Sequence, residues 1–113
     1  MITFADLLEA LNATGIQFAD YAWAAPPQTE AWGVVSIDGG FSLAGDNTHA
    51  EDALEGTIDL FTRRLGAEDF SAVKGCLQGL DICYRLNSVQ YEQETRLLHY
   101  EWVWQSAAQP VFE

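Results

Sequence analysis

Basic side chains are scarce in this sequence, with five Lys and Arg set against 17 Asp and Glu in 113 residues and a formal net charge of −12. The shortage is uneven. Residues 1–62 hold ten acids and no Lys or Arg, and the first base is Arg63. Nucleic-acid backbones are gripped through Lys and Arg, so this composition argues against a conventional DNA or RNA reader. It argues equally against docking on an anionic membrane surface. Long apolar runs are missing too, and nothing approaches the roughly 20 residues a membrane span needs. The opening Met1-Ile2-Thr3-Phe4-Ala5-Asp6 lacks the basic start and apolar core of a signal peptide, so the expectation is a cytoplasmic protein.

Cysteine and histidine are equally sparse. Cys76 and Cys83 are expected to be small buried hydrophobes in a reducing compartment. His49 and His99 lie far apart, and no C-x-x-C or H-E-x-x-H spacing occurs, so neither a metal nor a cofactor is expected. What the chain does have is apolar content: hydrophobic residues reach 49% and aromatics 12%, enough for a packed core in a single domain over residues 1–113.

The pattern along the chain alternates helix and strand. Phe4, Leu7, Leu8 and Leu11 have helical spacing, with Thr3 as N-cap, Asp6 as its capping partner and Gly15 as the stop. Ile16 to Tyr21 reads as a short strand. The prolines of Ala24-Ala25-Pro26-Pro27-Gln28-Thr29-Glu30 lack donors, which makes that segment a surface loop. Trp32 to Asp38 alternates as a strand, and Gly39-Gly40 then opens a long hairpin-like excursion through Asp46-Asn47-Thr48. Asp52 to Arg64 fits either a strand or a helix, but Gly56 and the β-branched Thr57, Ile58 and Thr62 favour a strand.

Ala67 to Leu80 predicts a second helix, with Phe70, Val73, Leu77 and Leu80 on one stripe and Gly79 near its end. Asp81 to Val89 reads as a strand, Tyr91 to Glu94 as a connection, and Thr95 to Trp104 as the final strand. That last strand places Leu98, Tyr100, Trp102 and Trp104 on a core face, with His99 and Glu101 opposite. Residues 105–113 are expected to form a loose tail. This order predicts an α+β, two-layer fold: a mainly antiparallel sheet with two helices packed on one face.

Nothing in the sequence points to catalysis. Glu55, Thr57 and Asp59 would line one strand face at about 7 Å intervals, too wide for a shared-proton dyad, so a solvated face is expected. Asp38-Gly39-Gly40 and Asp46-Asn47-Thr48 lack the alternating ligands and terminal Glu of a calcium loop. Ser36, Ser42, Ser71, Ser88 and Ser106 sit in no G-x-S-x-G elbow. Gly39-Gly40 and Gly45 complete no phosphate-binding motif. Trp23 adjoins the proline loop, where it would serve either the core or an interface as an anchor.

Several of these segments carry a family resemblance. They are the N-terminal helix, the Trp23-Ala24-Ala25-Pro26-Pro27 loop, the strand Trp32-Gly33-Val34-Val35-Ser36-Ile37, then Phe41 and Ala44-Gly45-Asp46-Asn47. The alternating Leu54-Glu55-Gly56-Thr57-Ile58-Asp59-Leu60-Phe61-Thr62 and the final Leu98-His99-Tyr100-Glu101-Trp102-Val103-Trp104 complete them. Together the arrangement resembles small tail-completion and tail-terminator proteins of long-tailed bacteriophages.

The resemblance implies a structural virion protein, assembled in the host cytoplasm and located in the tail or neck. Such subunits form homo-oligomeric rings, usually hexameric, at the head-proximal end of the tail tube. Their partners would be the tail tube protein and a neck or connector protein, with no specific nucleic acid and no membrane. Contacts are then expected from the loops, at Trp23, Pro26, Pro27, Phe41, Asp46 and Asn47. Acids of the Gly39 to Glu51 excursion would line a lumen that lets DNA pass without sticking. Two other readings fit the acidic composition, a DNA-mimic inhibitor of a host nuclease and a tail-assembly chaperone or adaptor.

Overall fold

The computed structural model describes residues 2–20, 30–42 and 52–106. The first helix, α1 (Phe4–Asn12), starts at a complete capping box, in which the Asp6 N–H donates to Thr3 Oγ1 (3.0 Å) and the Thr3 N–H donates to Asp6 Oδ2 (3.2 Å). Just beyond its end Gly15 takes φ +94°, a left-handed conformation that Gly adopts freely, and the chain turns into β1 (Gln17–Asp20). Asn12 pins the two together. Its side chain accepts from the Phe18 N–H (2.8 Å) and donates to the Phe18 carbonyl (3.0 Å).

The remaining elements are β2 (Ala31–Ser42), β3 (Asp52–Thr62), α2 (Glu68–Gln78), β4 (Ile82–Glu92) and β5 (Leu97–Ser106). They form one five-stranded sheet in the order β1-β2-β3-β5-β4. All neighbours are antiparallel except β1 and β2, which run parallel. The expected α+β architecture is therefore present, with that one parallel pair. A parallel pair needs a connection that brings the chain back along the sheet between the two strands.

Leu7 and Leu11 of α1 and Val73 and Leu77 of α2 share one buried cluster with Phe18, Val35, Ile58, Leu60, Trp102 and Trp104, so both helices back the same sheet face. The strand order follows from β5, the strand richest in aromatics. Trp102 (1% exposed) and Trp104 (3%) need cover from several sides, and an inner position between β3 and β4 supplies it. The less apolar β4 is left at the edge.

Several boundaries differ from the sequence expectations. Gly39-Gly40 do not turn the chain: they lie inside β2, paired with Glu55 and Leu54, and the register shifts between Ile37 and Gly39. Paired Gly therefore marks a β-bulge and not a hairpin start. The strand alternative for Asp52 to Arg64 holds, since its pattern is satisfied on both sides by β2 and β5. The β4–β5 turn falls at residues 93–96, with Arg96 at φ +59°, so Tyr91 and Glu92 belong to a strand.

Gly75 lies in the exposed interior of α2, with open space where a Cβ would stand. Gly75→Ala is accordingly expected to stabilise the protein by about 0.5–1 kcal/mol, measurable as a shift of the urea midpoint with unchanged slope.

Candidate interaction surfaces

Strand alternation sends one set of side chains to the helices and the other to the opposite, outer face. On that outer face β2, β3 and β5 place Trp32, Phe61 and His99 in register, each opposite the next. Their rings stack in a row: Trp32 and Phe61 centroids are 5.4 Å apart, and Phe61 and His99 centroids 4.4 Å. The Arg63 guanidinium lies 5.5 Å from the Trp32 ring centre, within cation–π range.

One register step along, His99 Nε2 contacts Asp59 Oδ1 at 2.7 Å. Burial pushes the Asp59 carboxyl above its ordinary value, against the opposing pull of the His99 contact. Asp59 is thus half-buried and paired, whereas Glu55 on the same strand face is exposed. The solvated face expected for Glu55, Thr57 and Asp59 holds at its Glu55 end only. Farther along, Ser36 and Thr57 hydroxyls meet at 2.7 Å, and the Ser36 hydroxyl donates to Asp38 (3.1 Å).

Beyond these lies an open, shallow cavity of about 420 Å³ whose walls include Asp38, Glu55, Cys83, Arg85 and Gln105. Its lining is chemically mixed, with two carboxylates, one thiol and one guanidinium. Cys83 is exposed here, contrary to expectation, because β4 turns odd-numbered residues at this end away from the helices. Cys76 is half-buried against the core, and burial pushes its thiol up, which disfavours the reactive thiolate. Among the described residues, no three His, Cys, Asp or Glu side chains gather as a metal site, and no helix is long and apolar enough to cross a membrane.

The other notable surface is the free edge of β4. Among the described residues, the exposed large hydrophobic side chains are Leu65, Leu86, Val89 and Tyr91, and three of these belong to this strand.

Of the residues assigned to contacts from the sequence, Trp23, Pro26, Pro27, Asp46 and Asn47 lie outside the described residues, as does His49. Of the loose tail expected at 105–113, Gln105 and Ser106 instead end β5, with Ser106 buried, and residues 107–113 lie outside the described residues. Phe41 is placed near the end of β2, opposite Ala53. The Trp32–Phe61–His99 row and the β4 edge were not legible from spacing. The three ring residues sit on separate strands, and only the pairing register brings them together.

The fold and its surfaces define a small α+β domain, a five-stranded mixed sheet backed by two helices, whose outer face and one long edge are its candidate contact regions. No family model matches the sequence, and no curated protein matches it. Among solved structures, the fold is similar to that of a chain in the virion of a native gene transfer agent particle. The TM-score is 0.56, the overlap covers 92% of this chain and 90% of that one, and identity is 16%. At that identity the likeness establishes a shared fold.

Proposed function

We propose that this chain is a structural protein of a phage-type virion, without enzymatic activity, and that it is a tail-terminator or tail-completion subunit. In this reading it forms a homo-oligomeric ring, a hexamer, at the head-proximal end of the tail tube, in contact with the tube protein and a neck protein. The observation that carries the reading is the near full-length fold likeness to a chain of a gene transfer agent virion. The sequence pattern points the same way independently, because it resembles tail-completion proteins across the helix, the alternating central strand and the final aromatic strand.

The geometry suits the role. A helix-backed sheet with a long edge and an outer face suits lateral contacts between subunits of a ring. Electron microscopy and native mass measurement on the chain mixed with its tail-tube subunits test the proposal. Closed rings capping tube ends are expected. Monomers that leave tube length unregulated would overturn it.

A further inference from the structure

β4 is an 11-residue edge strand, whereas the opposite edge, β1, has four residues. A long edge presents unpaired N–H and C=O groups to any other strand, and native proteins usually blunt such an edge with charge or keep it short. β4 instead exposes Leu86 (38%), Val89 (50%) and Tyr91 (46%). All three point to one face, because they pair with Trp102, Tyr100 and Leu98 of β5, which alternate on the helix side. The other face carries Arg85, Ser88, Gln90 and Glu92, opposite Val103, Glu101, His99 and Leu97. The switch from even to odd numbering comes from the register shift between Leu86 and Ser88, which leaves Asn87 as the extra residue, its amide donating to Glu101 (2.8 Å).

With that shift counted, the strand is self-complementary about Val89. Measured by their β5 partners, Arg85 and Glu92 lie equally far from Val89 on its two sides, and so do Leu86 and Tyr91, and Ser88 and Gln90. We propose that the β4 edge is the contact surface for a second copy of this chain, joined antiparallel about a two-fold axis through Val89. In this register Arg85 faces Glu92 of the second copy, Leu86 faces Tyr91, Ser88 faces Gln90, and the two Val89 side chains meet on the axis. Every facing pair shares a sheet face, and each pair also points its backbone groups the same way relative to the free edge. Both conditions are required of an antiparallel ladder.

Charge decides the occupant. A second copy brings the Glu92 carboxylate to each Arg85 and sets Leu86, Val89 and Tyr91 against apolar side chains, twice per contact by symmetry. Among the described residues, the Arg85 side chain donates to the exposed Asn87 amide oxygen (3.3 Å) and the Glu92 carboxylate accepts from the Thr95 hydroxyl (3.1 Å), and neither is in an ion pair. A one-residue slip would put polar against apolar side chains along the whole edge. A two-residue slip keeps the faces but separates Arg85 from Glu92.

The inference goes beyond the virion reading, since an isologous contact closes on two copies and builds no ring. Sedimentation of the full chain tests it. The wild-type protein is expected to dimerise, and Arg85→Glu or Glu92→Arg alone to weaken the dimer at least about tenfold, because each reversal opposes like charges twice. Mixing the two single variants is expected to restore a dimer containing one copy of each, and the double variant to dimerise with itself; this rescue also shows that the variants fold. In a Cys83→Ser background, Val89→Cys is expected to form a covalent dimer under an added oxidant. A monomeric wild type, a dimer indifferent to both reversals, a mixture without rescue, or no cross-link at position 89 would each overturn the proposal. None of these outcomes bears on tube capping, which the ring experiment reads separately.

Discussion

Gly56→Ala is expected to destabilise the protein by about 3 kcal/mol or more, with the thermal midpoint falling by many degrees or the chain failing to accumulate folded. A Cβ at this position would stand 1.8 Å from the Ser36 carbonyl oxygen and 2.8 Å from its carbon. Those atoms are backbone, so no rotamer change can make room. Gly56 lies opposite Ile37 on one side and Trp104 on the other, beside the register shift of β2. Relief would therefore have to part β2 from β3 at the centre of the sheet. Gly33 provides the comparison. Its Cβ would stand 1.9 Å from the Phe18 ring, which is a side chain, and a partner substitution Phe18→Leu should recover part of the loss. Chemical denaturation of Gly56→Ala, Gly33→Ala and the Gly33→Ala/Phe18→Leu pair checks the order, with only the last pair showing rescue.

Asp69→Ala is expected to cost about 2–3 kcal/mol near neutral pH and to flatten the acid limb of the stability curve. Asp69 is 6% exposed and Thr62 fully buried, and the Thr62 hydroxyl donates to Asp69 Oδ2 at 2.6 Å. Arg64 closes the group in a bidentate pair, with Nε to Oδ2 and Nη2 to Oδ1 both at 2.9 Å. Arg64 is 42% exposed, so solvent screens the ion pair and most of the cost comes from the lost buried bonds. Their loss leaves the Thr62 hydroxyl only a long donation to the Arg64 carbonyl (3.5 Å) beside the bond it accepts from the Arg64 N–H (2.9 Å). The cluster also does the work of a helix cap. Ala67 at the start of α2 offers no side-chain acceptor, and Asp69 in the first turn places its carboxylate near the positive end of the helix while tying it to the end of β3.

Burial by itself would push the Asp69 carboxyl up, but the bonds from Arg64 and Thr62 and the Arg64 charge outweigh it and hold the carboxyl below its ordinary value. A carboxylate that titrates lower in the folded chain than in the unfolded one contributes fully above the unfolded value of about 4, and its contribution disappears as the pH falls through the folded value. Wild-type stability should therefore drop below about pH 4 more steeply than that of Asp69→Ala, with Asp69→Asn between the two near neutrality. Urea titrations from neutral pH into that acid range check the sign; equal slopes for wild type and Asp69→Ala would contradict it.

These two sites show unequal legibility. The capping box at Thr3 and Asp6 was readable because both partners lie within one helical turn and each residue type has a known local use. The Asp69 cluster was not. Its partners come from the end of another strand, and its burial depends on how that strand meets the helix. Gly56 read only as a weak argument against a helix. Its true role, a close approach of neighbouring backbones, needed the register of β2 against β3.

The element order and the core stripes followed from the sequence itself, because periodicities of 3.6 and 2 record which side of each segment is buried before any tertiary contact forms. Phe4 to Leu11, Val73 to Leu77 and Tyr100 to Trp104 all behaved in that way. The shortage of bases was likewise complete information, since composition does not depend on folding. Tertiary structure alone decided strand order, the parallel β1–β2 pair, the bulges at Ile37/Gly39 and Leu86/Ser88, and hence the stacked Trp32–Phe61–His99 row and the self-complementary β4 edge. A strand's own sequence states which residues share a face. Which strand lies beside it, and at what offset, is settled by long-range packing, and these surfaces are built from that offset.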